Sequence, residues 1–89
     1  MVVREEMVVR NHCGVHARVA TGLAAIAEAD NVEIEVVFGG RTADCRNILD
    51  VLSLSLVRGS HVEVLVRGPE ATRALAAVRE LLTGTEING

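Results

Sequence analysis

Val32-Glu33-Ile34-Glu35-Val36-Val37-Phe38-Gly39-Gly40 is the stretch on which the fold turns. Val32, Ile34, Val36 and Phe38 alternate with Glu33 and Glu35, the period of a strand with one dry face and one wet face. Gly39-Gly40 follows at once, and paired glycines supply the positive φ angles of a two-residue hairpin. Residues 41–45 are therefore the returning strand. A sheet built on such strands leaves one face to solvent and needs cover on the other.

Downstream, Asn47 is placed to cap a short helix from Ile48 to about Leu54, carrying Ile48, Leu49, Val51 and Leu52. Four apolar residues on so short a helix cannot all point inward, so part of that face is expected to be exposed. Arg58-Gly59 makes a turn. His61 to Arg67 is a strand with Val62, Val64 and Val66 inward. Gly68-Pro69-Glu70 opens the last helix, with proline at its first position. Ala71, Ala74, Leu75, Val78, Leu81 and Leu82 form the core stripe of that helix, and Gly84 stops it.

Upstream, residues 2–9 read as a strand with Val3, Met7 and Val9 on the apolar side. Glu5 falls on that side too, which places it near a frayed end. Asn11 to Val15 is a loop turning at Gly14. Residues 17–29 form an Ala-rich helix with Val19, Ala20, Leu23, Ile26 and Ala27 at helical spacing. Gly22 interrupts it at a cost of about 1 kcal/mol relative to Ala. The order is β-α-β-β-α-β-α. The expected fold is α/β in the α+β sense: an open-faced β-sandwich, with a four-stranded antiparallel sheet covered on one face by three helices.

The 89 residues suffice for one core, so residues 1–89 are expected to form a single domain. Phe38 is the only aromatic, which leaves the core to aliphatic packing and gives no face on which bases could stack. A net charge of −3 argues against nucleic acid as a partner. Two cysteines make no disulfide framework. The acidic start Arg4-Glu5-Glu6 does not suit a signal peptide, and no run approaches the ~20 apolar residues of a membrane span. A cytoplasmic monomer without membrane insertion is expected. No Gly-rich nucleotide loop is present, so direct use of ATP is not expected.

Candidate chemistry gathers in Asn11-His12-Cys13-Gly14-Val15-His16-Ala17-Arg18-Val19-Ala20. His16 stands one residue before the helix, whose unpaired N–H groups and positive dipole end favour an anion. Neutral imidazole is a nucleophile, and the Arg18 guanidinium matches phosphate oxygens. A phosphoryl group on His16 would lie near the backbone N–H groups of Ala17 and Arg18. His12, Cys13 and His16 lack a convincing fourth ligand for zinc, so no metal is expected.

Gly14-Val15-His16-Ala17-Arg18 resembles the active-site motif of the HPr family, histidine-containing phosphocarriers of the bacterial phosphotransferase system. The family pattern runs Gly-Leu-His-x-Arg-Pro-Ala. Gly14, His16, Arg18 and Ala20 match it, Val15 is a conservative replacement, and Val19 stands where the family has proline. The element order matches from about residue 3 to residue 83. The resemblance implies a phosphohistidine at Nδ1 of His16, Arg18 as phosphate stabiliser, and no cofactor or substrate pocket of its own. It implies enzyme I as donor and an A-type enzyme II component as acceptor in sugar transport. Ile48, Leu49 and Leu52 occupy the family's docking positions. Asn47 replaces the regulatory serine that a dedicated kinase modifies in many members, so that regulation is expected to be absent. Two other readings stay open: a paralogue serving a nitrogen-related, glycerone-kinase or regulatory branch, and a non-phosphorylated binding module.

Overall fold

The computed structural model describes residues 1–84; residues 85–89, part of the expected single domain, lie outside the described residues. Four strands, β1 (Val2–Val8), β2 (Glu33–Phe38), β3 (Arg41–Asp44) and β4 (His61–Arg67), form one antiparallel sheet in the order β1-β4-β2-β3. Helices α1 (Ala17–Ala29), α2 (Ile48–Ser53) and α3 (Ala71–Thr83) cover one face. The β2–β3 turn takes Gly39 and Gly40 at φ 58° and 79°, as a two-residue hairpin requires.

Register explains the two-faced strands. Ile34 pairs with Val66 and Val36 with Val64, while Met7 pairs with Val62, and all six are buried beneath the helices. On the other face Arg4 reaches Glu63, and Arg67 lies beside Glu33 and Glu35. Leu23 and Ala27 of α1, and Ala74, Val78 and Leu82 of α3, close the core from above. Each large aliphatic side chain buried this way contributes about 1.5–3 kcal/mol. Small residues bring the helices close: a Cβ on Gly22 would sit 3.0 Å from Leu81 Cδ2, so α1 and α3 meet at this glycine.

Two local expectations need correction. Glu5 is not at a frayed end but in the middle of β1, opposite Val64. It holds its place on the helix-facing side through a two-pronged contact with Arg79 of α3, which donates from Nε at 2.8 Å and from its terminal nitrogen at 2.6 Å. Pro69 is not the first residue of α3; the turn closed by Ala71 N–H on Gly68 O absorbs it, and Glu70 is the N-cap. Gly84 ends α3 as expected, in extended conformation (φ −66°, ψ 157°).

Candidate functional site

His16 is the N-cap of α1, with extended backbone (φ −93°, ψ −174°). That geometry turns its ring back over the helix start, where Nδ1 accepts the backbone N–H of Arg18 at 3.2 Å. The ring lone pair is therefore at Nδ1, aimed at the helix amides, and the proton of the neutral ring is at Nε2. Ala20 N–H is the first to be satisfied by the helix, on His16 O at 2.9 Å. The side chains of Ala17 and Arg18 are exposed, His16 is half-buried, and Val19 is anchored in the core.

Two clamps hold the loop that delivers His16. On one side Gly14 (φ 72°) lies flat against the 56–57 backbone: a Cβ there would overlap Leu56 O and come within 2.9 Å of Val57 Cα. Only glycine combines that φ with so close an approach. Val15 N–H then donates to Leu56 O at 2.9 Å. On the other side Arg10 N–H donates to Leu82 O at 2.8 Å, and the Asn11 side-chain amide donates to Leu81 O at 2.9 Å. Asn11 is only 1% exposed, and its Oδ1 is buried without a protein partner. Sequence reasoning missed both clamps, because the pattern around Asn11 carries no sign of a partner 70 residues away.

Asn47 caps α2, accepting Asp50 N–H on Oδ1 at 3.1 Å. On that helix Val51 is fully buried, Ile48 and Leu52 are half-buried against the core, and Leu49 is 77% exposed. Val57, next to the Gly14 clamp, is exposed too and was not singled out from sequence. Cys13 is exposed. Cys45 is buried, and burial, helped by the charges of Asp44 and Glu35, pushes its thiol up to about 12. Among the described residues no group of three or more His, Cys, Asp or Glu side chains could hold a metal ion, and no helix is long and apolar enough to cross a membrane.

The arrangement sets a half-buried imidazole with its Nδ1 against the positive end of a helix. Residues 3–84 match the family model described as the PTS HPr component phosphorylation site. Phosphocarrier protein NPr of Shewanella violacea is 32% identical over 80 residues, spanning 90% of this chain and 88% of that one. Phosphocarrier protein HPr of Chlamydia trachomatis is 27% identical over 73 residues, 82% and 67% of the two chains. In fold, the chain is similar to the crystal structure of HPr from Bacillus anthracis, with a TM-score of 0.86 at 24% identity over 92% of this chain and 98% of that one.

Proposed function

Because the chain belongs to the HPr family of phosphotransferase-system phosphocarriers, which relay a phosphoryl group and turn over no substrate of their own, we propose that His16 is the residue that carries it. One observation supports this reading above the rest: Nδ1 of the N-cap histidine is aimed at the first amides of α1. The donor is the phosphohistidine of enzyme I. The Nδ1 lone pair attacks phosphorus in line, and the donor P–N bond breaks with its electron pair returning to the donor ring. Transfer to a histidine of an A-type enzyme II component repeats the step outward.

The protein's part is placement and charge. The backbone N–H groups of Ala17 and Arg18 and the Arg18 guanidinium face the phosphoryl oxygens, each charge-assisted bond worth about 1.5–3 kcal/mol. Half-exposure of His16 keeps the group reachable. Leu49, with Ile48 and Leu52 behind it, forms the apolar docking surface. In this reading the carrier is a cytoplasmic monomer without cofactor or metal.

Incubation with enzyme I and phosphoenolpyruvate, followed by intact-mass measurement, tests the assignment. An acid-labile phosphoryl adduct absent from His16→Ala is expected; no adduct with any of several enzyme I proteins overturns it. The NPr of Shewanella violacea, matched over more of the chain than the Chlamydia HPr, favours a second reading in which the branch served is nitrogen-related and not sugar transport. Offering the charged protein to A-type components of both branches separates the two by relative transfer rate.

A further inference from the structure

Leu81, on the last turn of α3, touches the chain on both sides of His16. Its carbonyl accepts the Asn11 side-chain amide at 2.9 Å, and so holds the loop that precedes the histidine. Its side chain meets α1, the helix that follows: a Cβ on Gly22 would lie 3.0 Å from Leu81 Cδ2. One residue is thereby the common reference for the loop and for the helix that His16 caps. Asn11 is 1% exposed, and its Oδ1 has no protein partner. A leucine would fill similar space without burying an unpaired oxygen, so packing alone does not account for an amide here. What the amide adds is direction. Val9, Arg10, Gly14 and Val15 donate their main-chain N–H groups to Ser60, Leu82, Asn11 and Leu56. The Gly14 bond, 3.0 Å to Asn11 O, closes a turn that Nδ2 of Asn11 pins to α3 at one end. At its other end Gly14 lies against residues 56–57, and His16 follows two residues later.

We propose that Asn11 is a positioning residue for phosphoryl transfer: through its bond to Leu81 it fixes where the loop delivers the His16 ring relative to α1. The inference rests on the reading of His16 given above and adds no reactant to that step. Asn11 acts through the loop, and none of its atoms takes part in bond making. Placement matters at this scale, since a displacement of about 1 Å can cost ~100-fold in rate. Without the Asn11 bond the turn keeps its main-chain ties but loses its side-chain anchor. The ring then samples orientations in which Nδ1 no longer meets Arg18 N–H.

Wild type, Asn11→Leu and Asn11→Ser are compared as full chains. In stopped-flow transfer from phosphorylated enzyme I, both variants should show a limiting rate down about tenfold and a KM within about twofold of wild type, because α2 is untouched. Nitrogen NMR of the His16 ring, at a pH where it is neutral, separates positioning from stability. The wild type should show an unprotonated Nδ1, and the variants should move Nδ1 and Nε2 toward each other as both tautomers become populated. In the wild type itself the Asn11 side-chain protons should exchange slowly with solvent, with or without the phosphoryl group. Unchanged limiting rates, a loss confined to KM, an unaltered ring spectrum, loss of the fold in both variants, or fast exchange at Asn11 overturns the proposal. Those results leave the assignment of His16 standing, whereas absence of any adduct on the wild type removes both.

Discussion

Gly14→Ala should be among the most damaging single-methyl additions in the chain. The residue sits at φ 72°, where an L side chain costs about 1–2 kcal/mol. The new Cβ would also overlap Leu56 O and lie 2.9 Å from Val57 Cα, and backbone atoms cannot rotate aside. The loop must lift, which weakens the Val15 N–H bond to Leu56 O, worth about 1 kcal/mol, and loosens the packing under buried Val15 and Leu56. A destabilisation of about 3 kcal/mol follows, or a fall in Tm of roughly 12–24 °C for a domain of this size. Gly39→Ala is the matched control: it has φ 58° but open space around its Cβ, so it should cost only about 1–2 kcal/mol. Urea unfolding followed by circular dichroism measures both. Equal losses in the two variants would refute the clamp, since only the close approach separates them.

Four further outcomes are expected. Arg79 holds the Glu5 carboxyl below the usual carboxylate range, chiefly through its hydrogen bonds; the lowered folded pKa means this stabilisation is full above the unfolded value and fades as pH falls through the folded one. Glu5→Gln should therefore differ most from wild type in urea midpoint near neutral pH and converge with it in acid, and a gap constant with pH contradicts the pairing. Native protein treated with iodoacetamide at mildly alkaline pH should be alkylated at exposed Cys13 and spared at buried Cys45, with both modified in denaturant; two adducts in the native state refute it. Leu49→Asp should leave the thermal midpoint within about 2 °C of wild type, because the side chain lies in solvent, yet raise the KM for transfer from enzyme I. Arg18→Ala should slow transfer about 10- to 100-fold in stopped-flow assays with little change in the urea midpoint.

Periodic elements were the legible part. The strict alternation of Val32 to Phe38 and the spacing of Val19, Leu23 and Ala27 located β2 and α1 within a residue, because each pattern is local and each face is buried as a unit. His16 was legible for the same reason: a cap is defined by its own helix. What stayed hidden depends on distant chain. Glu5 looked like a flaw in β1 because its partner, Arg79, is 74 residues away on α3. Asn11 looked like ordinary loop polarity, and nothing near it announces the carbonyl of Leu81. Gly14 was legible as a turn residue but not as a contact, since Leu56 approaches it only in the assembled fold.

The clamp of residues 10 and 11 on the last turn of α3 also sets an order of events during synthesis. The carbonyls of Leu81 and Leu82 that hold the His16 loop belong to the last part of the described chain to be made. A chain still lacking them has the histidine, the arginine and the start of α1, but only the Gly14 clamp on residues 56–57 to seat the loop that presents them. A copy trimmed before Leu81 therefore loses one of the two supports of that loop. The last turn of α3 thus steadies a loop made some 70 residues earlier in the chain.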